Sequence, residues 1–255
     1  MEKTLGAALG GRDIPRIRDF RELRLLPEAY RDEKIFALLD RYAAEYGEGL
    51  VLYGGLTATE RVYGLKRIRD ITTDLDFACT AAGLEAVLAS ERVLYHEGYD
   101  ILFSVSDNVP ITFAYGHIHD WPLDPGFFDS ASRVRLPSAE LLCCSRERSI
   151  MLKLRRTGER LESGLQPFGK DALDILNILV APSRRRELKP VDIGELCELV
   201  ISGAPTAASR PAGIAAFLRG YEGHLSGPER EAAEALLGPL EAGLSRRPGA
   251  AGEGG

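Results

Sequence analysis

Two carboxylates, one residue apart in an otherwise apolar run, constrain this chain more than any other feature. Thr73-Asp74-Leu75-Asp76-Phe77 alternates polar and apolar residues, so on a strand Asp74 and Asp76 share one face and Leu75 turns to the core. Like charges at that separation raise each other's pKa and oppose folding unless positive charge joins them, and a hard divalent cation such as Mg²⁺ is suited to that place. Ahead of them, Val51-Leu52-Tyr53 runs into Gly54-Gly55. That pattern reads as a strand entering a tight turn, where glycine permits positive φ and close approach to the backbone. A ligand phosphate fits such a turn.

A chain of 255 residues with 45% hydrophobic content has enough apolar material for one large domain or two small ones. Its formal net charge of −6 argues against a surface coated for non-specific nucleic-acid binding, although a local basic groove is compatible with that total. Cys79, Cys143, Cys144 and Cys197 form neither a CxxC pair nor a disulfide framework, so reduced, buried thiols in a cytoplasmic protein are expected and zinc is not. No run of about eighteen apolar residues occurs, and the N-terminus lacks the apolar centre of a signal peptide. The expectation is a protein that neither is exported nor spans a membrane.

Along the chain, residues 1–19 lack periodicity and read as a loosely attached arm. Phe20 to Tyr46 reads as helix, with Ile35, Leu38, Leu39 and Tyr42 on one stripe. Leu56 to Leu65 reads as a helix carrying Thr57, Glu60 and Arg61 and stopping at Gly64, and Leu84 to His96 as another. Ile101–Val105 and Ile111–Tyr115 form a hairpin around Asp107-Asn108, with Arg133–Leu136 as an edge strand. From Ser138 onward the pattern is helical: Glu140 to Leu154 and the basic positions Lys153, Arg156 and Arg160 on one face, then helices from Lys170, over Ile193–Ile201, and two across 214–244. The tail from Pro248 is low in complexity and predicted to be disordered. This order predicts an α+β chain: an arm (1–19), a small mixed β-sheet core packed with helices (20–137), a helical C-terminal half (138–247) and the tail (248–255).

Other motifs carry less. His117 and His119 with Asp120 share a side of an extended segment but have no third nitrogen or sulfur ligand at a recognisable spacing, and read as a polar loop. Gly164 to Lys170 spells the opening of a phosphate-binding loop, but Asp171 stands where a Ser or Thr must reach magnesium and a charged helix precedes it. No G-x-S-x-G, H-E-x-x-H or G-x-G-x-x-G occurs, so serine-hydrolase, zinc-protease and dinucleotide-binding readings lack a starting point.

The glycine turn followed by Asp-x-Asp resembles the first motif of the DNA polymerase beta nucleotidyltransferase superfamily, and Arg69, Thr72 and Thr73 ahead of Asp74 strengthen the likeness. Gly55 stands where Ser is commoner. Glu140, Lys153, Arg160 and the run Lys170-Asp171-Ala172-Leu173-Asp174-Ile175-Leu176 look like the second half of the AbiEii-like group of that superfamily, so the resemblance covers about residues 50–180. It implies transfer of a nucleoside monophosphate from a nucleoside triphosphate to an acceptor hydroxyl. Asp74 and Asp76 are then the catalytic carboxylates that hold Mg²⁺ or Mn²⁺. Gly54, Gly55, Thr57 and Arg160 meet the nucleotide, Lys153 neutralises phosphate charge, and Asp174 completes the metal site or takes the acceptor's proton. Many AbiEii-like members are toxins of toxin–antitoxin pairs and some modify transfer RNA, so RNA and a cognate antitoxin protein are implied partners.

One departure bears on the chemistry. The superfamily's polymerase-type members carry a third carboxylate on the strand beside Asp-x-Asp, and here Thr112 occupies that place in Pro110–Tyr115. Asp174 replaces it, or Asp107 or Asp100 does so in a shifted register, or the chain is a catalytically silent nucleotide-binding or regulatory module. Residues 151–190 hold nine basic and five acidic residues, a net of +4 that leaves −10 for the rest. That asymmetry fits either an RNA acceptor steered by Arg184, Arg185 and Arg186 or a solvated helical surface.

Overall fold

The alternation at Asp74–Asp76 becomes an inner strand of a mixed sheet. The computed structural model describes residues 4–19, 34–66, 74–118 and 121–245. Phe20–Glu33, Arg69, Thr72, Thr73, His119, Asp120 and the tail from Pro248 lie outside the described residues. The described chain divides into two units, Met1–Leu56 with Ile68–Ser145, and Thr57–Arg67 with Arg146–Gly255.

In the first unit the strands are β1 (Arg16–Ile17), β2 (Leu50–Tyr53), β3 (Leu75–Cys79), β4 (Leu94–His96), β5 (Ile101–Ser106), β6 (Val109–Ala114), β9 (Ser132–Arg135) and β10 (Glu140–Cys143), with a separate pair, β7 (His117–Ile118) and β8 (Trp121–Pro122). The large sheet runs β1-β4-β5-β6-β3-β2-β10-β9. β3 pairs antiparallel with β2 and parallel with β6, so it is hydrogen-bonded on both sides. Leu75 and Phe77 are fully buried. Helix α2 (Ile35–Tyr46) supplies Tyr42, whose ring lies 5.6 Å from Phe77 and 5.9 Å from Phe113, giving the sheet an aromatic core on the face that Leu75 and Phe77 share. Asp74 and Asp76 take the opposite side of the strand by simple alternation. The β5–β6 hairpin turns through Asp107 and Asn108 at φ 51° and 66°, a two-residue loop of the kind that Asp and Asn tolerate best.

Four expectations change here. The arm is part of the sheet: Leu5 is fully buried in α1 (Leu5–Ala8), the Asp100 carboxylate accepts from the Leu5 and Gly6 amides, and β1 pairs with β4. Leu5, Leu9 and Ile17 are apolar enough to repay that ordering. The helix expected to reach His96 is α3 (Ala81–Ser90), capped by Thr80; it stops before Leu94-Tyr95-His96, which forms β4. A short α4 (Pro125–Asp129), capped by Asp124, leads into β9. Glu140–Cys143 is β10, parallel to β2, rather than a helix start.

The fourth is Leu56–Leu65, which is no α-helix. Gly55–Ala58 makes a single 3₁₀ turn, and the chain then closes on itself: the Lys66 amide donates to Ala58 O (3.1 Å), the Glu60 amide to Lys66 O (3.0 Å) and the Tyr63 amide to Thr57 O (3.1 Å). Gly64 is not a helix stop. A Cβ there would collide with the Ala58 carbonyl, so the loop needs glycine at that close approach.

The second unit is built from α5 (Arg146–Glu162), α6 (Gly169–Val180), α7 (Ile193–Gly203), α8 (Pro205–Ala208), α9 (Pro211–Arg219) and α10 (Gly227–Leu244). α5 packs against α6, α7 and α8, and α10 against α6, α7 and α9. The chain is thus α+β, a mixed sheet with helices followed by a helical half. Among the described residues no helix is long and apolar enough to cross a membrane.

Candidate active site

In the first unit, β2 delivers Tyr53 to the glycine turn while β3 sets Asp76 opposite it, Tyr53 and Asp76 being register partners. Gly54 has φ +83°, and a Cβ on it would run into the Asp76 carboxylate. Both features exclude any other residue. Asp74 stands at the entrance of β3, half-buried like Asp76, and its Oδ1 is shielded from solvent with no hydrogen-bond partner among the described residues. Burial, and then the neighbouring Asp76, push the Tyr53 phenol well above its ordinary range. The result is a patch of negative potential at the mouth of a glycine turn.

A cation fits that patch. The Asp74 oxygen, a hard ligand atom, has no hydrogen-bond partner among the described residues, and a phosphate brought to Gly54 would meet the Asp76 carboxylate as a like charge unless a cation came with it. Thr112, 7% exposed, is the register partner of Asp76 on β6, so the neighbouring strand brings a hydroxyl and not a carboxylate to that position. Asp100 and Asp107 are engaged elsewhere. Asp100 accepts from the Tyr95 hydroxyl (2.7 Å) besides the two amides and lies 3.6 Å from His117, and Asp107 pairs with Lys34 at 3.2 Å. No group of three His, Cys, Asp or Glu side chains suited to a metal occurs among the described residues.

In the second unit, helices α5 and α6 are cross-linked by a ladder of charge. Lys153 Nζ donates to Asp174 Oδ2 at 2.7 Å, three residues on Arg156 grips Asp171 with two nitrogens, and Arg160 Nε donates to Gln166 O at 2.7 Å while its guanidinium lies 4.0 Å from the Phe168 ring centre. Residue numbers rise on α5 as their partners' fall on α6, so the two helices run antiparallel. Of the basic face, Lys153 lies inside at 6% exposed, against Asp174 at 2% and a fully buried Asp171, while Arg156 keeps 36% of its side chain exposed. Asp174 has a second cation, since Lys66 Nζ reaches its Oδ1 at 3.0 Å.

Thr57 is fully buried at the start of this unit's loop. Arg185 uses one nitrogen on the carbonyls of Glu60 (2.7 Å) and Val62 (3.2 Å), and Arg184 pairs with Glu229. Two of the three arginines counted toward an RNA surface thus hold the unit together. Lys66 escaped the sequence reading because nothing in its surroundings marks it. Arg156 and Asp171 carried a signal: opposite charges at the same spacing of three on consecutive helices.

The chain is similar in structure to an antigenic nucleotidyltransferase-like protein from Paracoccidioides brasiliensis, with a TM-score of 0.44 and 15% identity, over 74% of this chain and 94% of that one. No family model matches the sequence, and no curated protein does.

Proposed function

We propose that the chain is a metal-dependent nucleotidyltransferase. The observation that carries this reading is the pairing of a positive-φ glycine turn with two half-buried carboxylates on one strand face, one oxygen of which has no partner among the described residues. Asp74 and Asp76 hold the cation, Mg²⁺ or Mn²⁺, which when bound supplies Lewis-acid polarisation of the phosphate oxygens and offsets their charge. Gly54, at φ +83° and with no room for a Cβ, gives a phosphate access to the backbone that no side-chain-bearing residue would allow, and Gly55 continues the same turn. The acceptor hydroxyl gives its proton to solvent and attacks the α-phosphorus, the bond from that phosphorus to the oxygen bridging to the β-phosphorus breaks, and pyrophosphate leaves with that oxygen. Lys153 and Arg160 serve phosphate charge. Asp174, with an ammonium group on each oxygen, suits the positioning of those cations better than the binding of another. An RNA hydroxyl is the acceptor that the AbiEii-like resemblance suggests, as is a toxin's role with a cognate antitoxin.

A second reading has one observation behind it. Thr112 opposite Asp76 fits a module that binds nucleotide without transferring it. Incubation with each labelled nucleoside triphosphate, Mg²⁺ and total RNA separates the two: label should move to an acceptor with wild-type protein and not with Asp74→Asn. Tight nucleotide binding with no transfer under any nucleotide favours the silent module and refutes the transferase.

A further inference from the structure

One hydroxyl beside the glycine turn has no task within the chain. Tyr53 ends β2, a strand buried at all four positions and paired with β3 on one side and β10 on the other, so its backbone is fixed. The residue is 7% exposed, and a tyrosine that far inside ordinarily finds a partner for its hydroxyl. This hydroxyl makes no hydrogen bond among the described residues, and solvent reaches its oxygen. The ring is held, and its tip reaches an opening.

That opening is the one beside Asp74 and Asp76, all within the first unit. Tyr53 is the register partner of Asp76, so the two side chains leave the sheet on one face with Cβ atoms about 5 Å apart, and both carboxylates are near enough to act on the phenol. They are strong acceptors, yet the hydroxyl donates to neither, which leaves it for a third group. Next along the chain is Gly54, whose φ of +83° and missing side chain open the backbone at the same place. An occupant has to accept hydrogen bonds and stand beside two carboxylates. A phosphate carried on a divalent cation meets both conditions.

We propose that Tyr53 is a phosphate-binding residue of this site, its hydroxyl donating to a non-bridging oxygen of the phosphate that the glycine turn receives. The choice of phosphate rests on the transferase reading; the unpartnered hydroxyl does not. A phenol donates a hydrogen bond at neutral pH, so Tyr53 acts on the phosphate and not on the cation. Its ring is already ordered, which lowers the cost of binding.

The test is calorimetric titration of the full chain with inorganic triphosphate in the presence of Mg²⁺, for wild type and Tyr53→Phe. Wild type should bind, and the variant should bind about tenfold or more weakly, the worth of a hydrogen bond to a charged oxygen. Two further measurements separate this role from a structural one. Without ligand, Tyr53→Phe should melt where wild type does or higher, since the hydroxyl holds nothing among the described residues. Titration with Mg²⁺ alone should give the same affinity in both proteins. A fall in melting temperature of about 4 °C or more, or failure to fold, assigns the hydroxyl to the fold and overturns the proposal. A loss of Mg²⁺ affinity as large as the loss of triphosphate affinity makes the phenol part of the cation site and overturns it too. Equal triphosphate affinity with nucleotide transfer intact overturns the proposal alone. Weaker binding by Tyr53→Phe, with no transfer of any nucleotide by wild type, counts against the transferase alone. Absence of triphosphate binding by wild type removes phosphate from the turn and overturns both.

Discussion

Deleting Asp174 should damage the protein more than deleting either lysine that it holds. Asp174→Ala leaves two ammonium groups with no counter-charge among the described residues, at side chains 7% and 8% exposed. Removing one partner of a buried pair costs about 3–5 kcal/mol. Lys153→Met is milder: Lys66 still satisfies Asp174 at 3.0 Å, the methionine fills the volume of the lysine stem, and the loss is one charge-assisted hydrogen bond, about 1.5–3 kcal/mol. A solvated lysine would cost within about 0.5 kcal/mol, so the size of the effect also reports whether Lys153 is inside. Replacing all three, with Lys66→Met, Lys153→Met and Asp174→Leu, should cost less than Asp174→Ala alone, because the apolar set has no charge to strand. Urea unfolding followed by far-UV circular dichroism gives the comparison, provided that the slopes of the variants agree. Two results would refute the reasoning: Asp174→Ala losing under about 1 kcal/mol, or Lys153→Met losing more than Asp174→Ala.

Mg²⁺ or Mn²⁺ should raise the melting temperature, by the equivalent of about 2.7 kcal/mol at a hundred times its dissociation constant, and Asp74→Asn with Asp76→Asn should abolish the rise; an equal rise in the double variant removes the cation from this position. Gly54→Ala should destabilise by more than the roughly 1–2 kcal/mol of a left-handed alanine, because its Cβ also meets Asp76, and the same change in an Asp76→Gly background should recover part of the loss in chemical denaturation. All four cysteines are buried and burial pushes the Cys79 thiol up, so a thiol reagent should find none of them in the native protein and all of them after denaturation. Burial and then the neighbouring Glu147 and Asp192 raise the Glu195 carboxyl, which makes its charge unfavourable in the folded state above the ordinary carboxylate range. Glu195→Gln should therefore raise the melting temperature slightly at neutral pH and lose that advantage as pH falls below that range.

How much of this was legible in the sequence follows the range of the interaction responsible. The strand at Asp74–Asp76, the Asp107-Asn108 hairpin and the place of Thr112 beside Asp76 are set by alternation and turn chemistry within a few residues, and the structure places them where that chemistry puts them. The stretches misread as helix, 91–96 and 140–143, are short apolar runs whose period does not distinguish strand from helix; pairing with β5 and β2, which no local pattern encodes, decides them. Gly64 was visible as a helix stop only because the Ala58 carbonyl that demands it was not.

The charge ladder lies between these cases. Lys153 and Arg156 on one helix, and Asp171 and Asp174 on the next, are each three apart, so the faces could be read but not the fact that they meet. Antiparallel packing through the short 163–168 connection brings Lys153 to Asp174 and Arg156 to Asp171 at once. That meeting turns a stripe that resembles solvated surface into cations gathered on two buried carboxylates. Lys66 has no such clue, since it lies 108 residues from Asp174 in sequence and reaches it only after the 59–66 loop has closed on its own backbone. A lone lysine in a sequence counts as surface until its counter-charge is known. Here the counter-charge is Asp174, which holds Lys153 on its other oxygen.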